Sequence, residues 1–460
     1  MADPANLVTI VLAAGQGRRM RSTLPKVLHR LAGRTLLQHV LDSAAGLRST
    51  ETIVVTGYQA DRVRAETDAD ARWVRQAEQL GTGHAVARAV PFLDDDAIAL
   101  VLCGDMPLVS VTTMRACAAA AAEGALAVVT AEVDEPAEYG RIRRSAAGEI
   151  EAIVEFSDAS PGEREIREIN TGILALRGGE LKVLLARVSP RNAQGEYYLT
   201  DVVGVAVEAG IPVAGVTVAD AVEALGVNDR VQLAALERTW QRREARRLML
   251  EGTGMADPER VDIRGRVTAG EDCFIDVNVV LIGRVELGTG VRLGAGVVIE
   301  DSILGDGVVV EPHTVVQGAV VAARCRLGPF ARIRPGTELG EEVRLGNFVE
   351  TKKARLGRGT RAGHLAYLGD AELGEDCNVG AGAVTCNYDG ENKHRTLIGD
   401  HVFLGTNSSL VAPLEAESGA FIAAGSTITA KVGRGELAVA RGRQRNIRGW
   451  KPPARRKPEE

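Results

Sequence analysis

After Val261 the chain settles into a six-residue period, and no other feature of its 460 residues narrows the possible folds as far. Leu287, Leu293 and Ile299 lie six apart, as do Leu304, Val310 and Val316. Leu327, Ile333, Leu339 and Leu345 continue the pattern; then come Ile398, Leu404 and Leu410, and finally Ile422 and Ile428. Many are followed at once by glycine, as in Leu287-Gly288 and Leu404-Gly405. A train of such units reads as short strands stacked on like neighbours, with the aliphatic side chain inward. The glycine is expected to permit a turn that a side chain would oppose. Three units close one triangular coil of a parallel β-helix, whose hand the period does not define.

The first half reads differently. Buried-looking runs at 7–12, 52–56, 98–102 and 126–131 alternate with Ala-rich helical stretches such as 114–122. That alternation predicts a mainly parallel sheet covered on both faces, with ligands at the carboxyl ends of its strands. Between the halves, a charged segment with apolar residues at helical spacing predicts a connecting helix. It starts near Asn228 or Asp229 and is stopped by Gly252 or Gly254. The expected organisation is therefore a domain over 1–228, a helical linker over 229–252 and a β-helical domain over 253–460. The last stretch, RQRNIRGWKPPARRKPEE, lacks the repeat and reads as an ordered arm passing into a disordered tail.

Composition serves mainly to exclude. A net charge of −6 provides no blanket attraction to nucleic acid, so anionic ligands need local basic clusters. The opening MADPANLVTIVLAAG has no basic leader and its apolar run is too short to span a membrane, so cytoplasm is expected. None of the six cysteines, Cys103, Cys117, Cys273, Cys325, Cys377 and Cys386, forms a CxxC pair; reduced thiols packed in cores are expected.

Two stretches carry chemistry. In the first, Leu12-Ala13-Ala14-Gly15-Gln16-Gly17-Arg18-Arg19-Met20 follows the first strand, with Pro25-Lys26 close behind. Small residues after a buried strand let backbone N–H groups approach a base or phosphate, and Arg19 and Lys26 could neutralise a triphosphate. Taken alone, an ordinary strand-to-helix turn is an equal reading. Asp105, just past a strand, suits either a helix cap or a Mg²⁺ ligand, and Asn228 alone reads as a cap. The surroundings add QAEQLGTGHA, GDMPL, YGRI, INTGI, AQGEYYLTD and GVNDR, in that order. With them the chain resembles the sugar-1-phosphate uridylyltransferases, in their N-acetylglucosamine-1-phosphate branch.

The resemblance implies a Rossmann-like nucleotidyltransferase domain in which Asp105 and Asn228 hold Mg²⁺. It assigns Leu12, Ala13, Ala14, Gly15, Lys26, Gln76, Gly81, Thr82, Cys103, Gly104 and Asp105 to the nucleotide side, and Gly140, Glu155 and Asn170 to the sugar. It departs from the family pattern at Arg18, usually Thr or Ser, and at Cys103, where some relatives carry Tyr and a hydroxyl contact is lost.

The second stretch interrupts the repeats with GPFARIRPG, GNFVETKKA, GHLAYLGD and NVGAGAVTCNYDG. An amine must be unprotonated to attack a thioester, and imidazole is the side chain suited to take its proton near neutral pH, which singles out His364. On a repeat protein an isolated histidine is more often a turn residue. In GHLAYLGD, however, it resembles the base of the glucosamine-1-phosphate acetyltransferase domain found in the bacterial bifunctional enzymes of UDP-N-acetylglucosamine synthesis. The resemblance implies a left-handed β-helix, Arg334 and Lys352 on the sugar phosphate, and Tyr367 and Asn378 on the sugar. It places Ala381, Asn387, Tyr388, Thr406, Ala424 and Arg441 along acetyl-CoA, with Thr406 replacing a more usual Ser. It further implies homotrimers, glucosamine 1-phosphate and N-acetylglucosamine 1-phosphate as substrates, and UTP and acetyl-CoA as co-substrates. Lys352, Lys353, Arg355, Arg358 and Arg361 form a basic cluster, much of which reads as a solvated face. Glu350 could orient His364, but sequence does not place the two side chains together. Two other readings stay open: a β-helix that is only a trimerising scaffold, and a different sugar or nucleotide.

Overall fold

The computed structural model describes residues 4–450. The tail expected to be disordered at 451–460, and the first three residues of the opening segment, lie outside the described residues. The chain divides into two compact units, 1–243 and 244–460. The boundary falls within the helix Arg230–Leu250, inside the segment expected as a linker over 229–252.

The first unit is built on a nine-stranded sheet. Its main path runs Val213–Thr217, Leu126–Glu132, Glu168–Arg177, Ile98–Cys103, Leu7–Ala13, Glu51–Thr56 and Arg72–Arg75. All four predicted runs are strands, and their apolar residues fall on both faces because both faces are covered. Leu7, Val11 and Ala13 pack on one side beneath the helices Leu36–Ala44 and Val111–Ala122. Val8 and Ile10 pack on the other, beneath Thr82–Ala89, Gly178–Leu185 and Asp201–Glu208. Along this path one strand departs from the parallel expectation: Glu168–Arg177 runs antiparallel to both neighbours, and off the path Arg141–Arg144 and Ile150–Val154 also pair antiparallel. The register of Glu168–Arg177 shifts between Asn170 and Leu174, around Gly172 at φ 81°. That irregularity belongs to INTGI and turns Asn170 toward the carboxyl ends of the parallel strands.

The second unit is a parallel β-helix. One face is an eleven-stranded ladder; the other two are joined in a seventeen-stranded sheet because Val261–Ala269 and Val279–Leu287 run unbroken around a corner. Every aliphatic residue of the sequence period is at most 5% exposed. The glycine after Leu327, Gly328, has the expected positive φ of 95°, but several others have a different reason. Gly288, Gly340 and Gly405 do not have positive φ. A Cβ at Gly288 would instead lie 2.7 Å from the Asp306 backbone nitrogen, and one at Gly340 2.9 Å from that of Arg358. The glycine lets successive coils touch; the left-handed turns fall elsewhere, at residues such as Asp301, His313 and Asn407. Cys273, Cys325 and Cys377 are buried, each thiol donating to the carbonyl of a glycine on the next coil, Gly288, Gly340 and Gly399, at 3.0 Å.

Candidate active sites

In the first unit the strands Leu7–Ala13 and Ile98–Cys103 are paired in register, Leu12 opposite Cys103, so their carboxyl ends open at one level. Gly104 bonds back to the Leu12 carbonyl at 2.9 Å, and a Cβ there would sit 2.9 Å from that oxygen. Asp105 is thereby held at the mouth. Its carboxylate pairs with the Lys26 ammonium, which also donates to Asn228 Oδ1 at 3.2 Å. The Asp105 carbonyl accepts from Val227 N at 2.9 Å, which tethers the segment bearing Asn228. Three residues from distant parts of the chain thus share one point.

A cavity of about 300 Å³ opens beside them. Leu12, Ala14, Gly15, Lys26, Gln76, Gly81, Thr82, Cys103 and Asp105 line it, together with Gln79 and Glu196, which the sequence reading did not single out. Both fall inside quoted motifs, so motif context was the available signal. Gln76 is 2% exposed and its amide donates to the Gly81 carbonyl at 3.1 Å. Gly81 has φ 106°, and a Cβ there would strike the Tyr197 backbone, so only glycine lets this turn close. Burial, then the Asp105 charge, pushes the Cys103 thiol up to about 12, with Lys26 opposing; its Sγ lies 3.7 Å from the Gly172 carbonyl.

A second cavity, of about 580 Å³, shares Thr82 and Glu196 with the first and is lined by Arg19, Glu138, Glu155 and Tyr198. Arg19 is exposed and pairs with Glu138, so it stands in this second cavity and not beside Lys26. Gly140 packs 3.4 Å, measured from an ideal Cβ, from a Glu155 carboxylate oxygen, and its carbonyl accepts from Asn170 N at 2.8 Å. Burial raises the Glu155 carboxyl above its ordinary value, partly offset by the hydroxyl of Thr200 at 2.9 Å. Gly140, Glu155 and Asn170 are therefore together at the edge of this space. Ala13 is buried in the strand beneath, and Arg18 opens the short helical turn Arg18–Met20.

In the second unit one corner of the β-helix gathers most of the remaining candidates. Backbone bonds link Leu365 N to Asn347 O, Gly382 N to Leu365 O, Asn407 N to Ala381 O and Gly425 N to Thr406 O, at 2.8–3.0 Å. Arg441 donates to the Ala424 carbonyl at 2.8 Å. Asn347, His364, Ala381, Thr406, Ala424 and Arg441 therefore stack on successive coils as one column. His364 Nδ1 lies 2.6 Å from Asn347 Oδ1. Glu350 is not its partner: that carboxylate accepts from Arg334 at 2.7 Å.

Cations cluster on a neighbouring face. Arg334 N bonds to Thr351 O at 2.9 Å, which sets Arg334 beside Lys352. The Lys393 ammonium, then the Arg334 guanidinium, hold Lys352 below its ordinary value. Lys393 went unnoticed in the sequence because it lies in the loop between Val384–Cys386 and Thr396–Ile398, outside the repeat. The same loop holds Asn387, which donates to Asp370, and the exposed Tyr388. Asp389 clamps it, pairing with His394 at 2.6 Å while backbone N–H groups of Asn392 and Glu391 drive its carboxyl far below the usual range. Tyr367 folds back over Gly369, where a side chain would collide with its phenol ring, and Asn378 faces out beside Arg361.

The chain matches three described families: MobA-like NTP transferase domain over 9–171, GMPPB C-terminal domain over 259–357 and hexapeptide repeat of succinyl-transferase over 395–430. Fold and sites together define a two-headed transferase, an NTP-transferase unit followed by a hexapeptide-repeat unit with a site of its own. Two curated relatives share this arrangement end to end. The bifunctional protein GlmU of Marinobacter nauticus is 52% identical over 97% of this chain and 99% of its own length. That of Alkalilimnicola ehrlichii is 52% identical over 98% and 97%. The chain belongs to the family of the bifunctional protein GlmU.

Proposed function

We infer that this enzyme makes UDP-N-acetylglucosamine in two steps, one on each unit. The β-helical unit moves acetyl from acetyl-CoA to glucosamine 1-phosphate. The first unit then joins the product to the uridylyl group of UTP and releases pyrophosphate. The observation that carries the reading is the column Asn347–His364–Ala381–Thr406–Ala424–Arg441, since a scaffold has no use for an aligned imidazole, hydroxyl and guanidinium on one corner.

In acetyl transfer, the amine nitrogen bonds to the acetyl carbon, its proton passes to His364, and the carbon–sulfur bond breaks to release the coenzyme thiolate, which takes that proton from the imidazolium to leave as the thiol. Arg334, Lys352 and Lys393 form an anion site suited to the sugar phosphate. Asn387 and Tyr388 flank the thioester end.

In uridylyl transfer, the sugar phosphate oxygen attacks the α-phosphorus, and positioning and charge neutralisation do the work. Gln76 offers a donor and an acceptor to the base. Lys26 neutralises phosphate charge, and Gly140, Glu155 and Asn170 hold the sugar. Asp105 and Asn228 suit Mg²⁺, because both turn hard oxygens on one cation, at present the Lys26 ammonium. When bound, the ion would neutralise charge on the phosphates and the leaving group.

The assembly is read as a homotrimer through the β-helix and the compartment as cytoplasm. Among the described residues no helix is long and apolar enough to cross a membrane. The test assays the two half-reactions separately on panels of sugar 1-phosphates and nucleotides, with His364→Ala alongside. Acetyl transfer should fall by roughly 10²–10⁴ in that variant while uridylyl transfer and acetyl-CoA binding persist. Wild-type acetyl transfer by the variant would make His364 a turn residue, and preference for another sugar would overturn the substrate reading.

A further inference from the structure

We propose that Asn347 is the positioning residue of the acetyl-transfer site, accepting the Nδ1 proton of His364 so that Nε2 is left as the base. The proposal rests on the reading of His364 as that base.

The hydrogen-bond logic is short. Asn347 Oδ1 stands 2.6 Å from His364 Nδ1. A carboxamide oxygen accepts and cannot donate, so the ring nitrogen facing it must carry the proton. A neutral imidazole has one ring proton, and placing it on Nδ1 leaves a lone pair on Nε2. Without such a partner a neutral imidazole favours Nε2–H, the form that cannot accept the amine proton. The partner therefore selects the reactive tautomer, as the orienting member of a catalytic triad does.

The backbone is built for this pair. Of the eleven strands in this ladder, nine are two residues long. Only Arg344–Asn347 and Arg361–His364 extend to four, and the extension adds a single register pair, Asn347 opposite His364. Pairing runs on into the corner here and nowhere else in the ladder. Gly346 makes it possible, since a Cβ there would collide with the Gly363 carbonyl. Leu365 N closes the corner onto Asn347 O at 3.0 Å. Glu350, the carboxylate that the sequence offered as a partner, is engaged by Arg334.

The test uses the full chain with ¹⁵N-labelled histidine, reading two-bond nitrogen–proton correlations and assigning His364 by its loss in His364→Gln. Wild type should show the Nδ1–H pattern. Asn347→Ala should shift it toward Nε2–H and lower kcat for acetyl transfer at least about ten-fold, with acetyl-CoA KM and uridylyl transfer little changed. Asn347→Asp keeps an acceptor and should restore the pattern and most of kcat. An Nε2–H pattern in wild type, or Asn347→Ala with pattern and kcat unchanged, overturns the proposal. The two readings fail separately: acetyl transfer surviving in His364→Ala removes the base itself, while its loss there beside an unaffected Asn347→Ala removes only the role of Asn347.

Discussion

Lys26 and Asn228 are 202 positions apart in sequence and 3.2 Å apart in space. With Asp105 they form a point where one cation is shared by two oxygens, and this predicts how the two activities separate. Asp105→Ala should abolish uridylyl transfer and leave acetyl transfer near wild type, measured as two half-reactions on one preparation. Equal loss of both in a folded protein would refute separate sites. Cys103 offers a second check at this scale. With its thiol pushed up to about 12, it should hold about three orders of magnitude less thiolate than an ordinary cysteine at the same pH. Mass spectrometry after brief iodoacetamide treatment near pH 8 should find Cys103 unmodified; prompt alkylation would show the cavity to be more open or more cationic than its lining implies.

At the scale of elements, the corner glycines separate into those that permit contact and those that merely occur. Gly346 faces the Gly363 carbonyl at a distance no side chain allows, whereas a Cβ at Gly363 meets nothing within 4 Å. Gly346→Ala should therefore part the strands Arg344–Asn347 and Arg361–His364, cost about 1–3 kcal/mol and depress acetyl transfer alone. Gly363→Ala is the control and should leave the unfolding midpoint nearly unchanged. Thermal unfolding of both variants decides it; equal stability would mean that the corner relaxes without strain. In the first unit the antiparallel strand Glu168–Arg177 plays the comparable part. Its shifted register around Gly172 sets Asn170 near Gly140 and brings the strand against Cys103.

On the scale of the whole molecule, each unit has its own core and its own site. Solenoid coils depend mainly on their neighbours. A fragment beginning near Gly252 should accordingly fold alone, assemble as a trimer and retain acetyl transfer, checked by light scattering and a thiol-release assay. A stable, fully active monomer would refute the homotrimer reading.

The sequence by itself determined both architectures and supplied most of the candidates for both sites. The six-residue period states which side chains enter the β-helix core, since burial on a repeating coil needs an aliphatic residue at every turn. The continuous apolar runs likewise state that the first sheet is covered on both faces. Gln76, Lys26, Asp105, His364 and Lys352 were legible because they sit in motifs that no core requires. What only the tertiary structure decided were partners. Asn347, not Glu350, meets His364; Lys393 joins Lys352; Arg19 faces Glu138 across the second cavity. The glycines after Leu287, Leu339 and Leu404 proved to serve contact between coils. A repeat shows that a residue recurs, but the reason depends on what lies against it one coil away. Contacts of that kind join positions distant along the chain, and a pattern of neighbours in sequence carries no record of them.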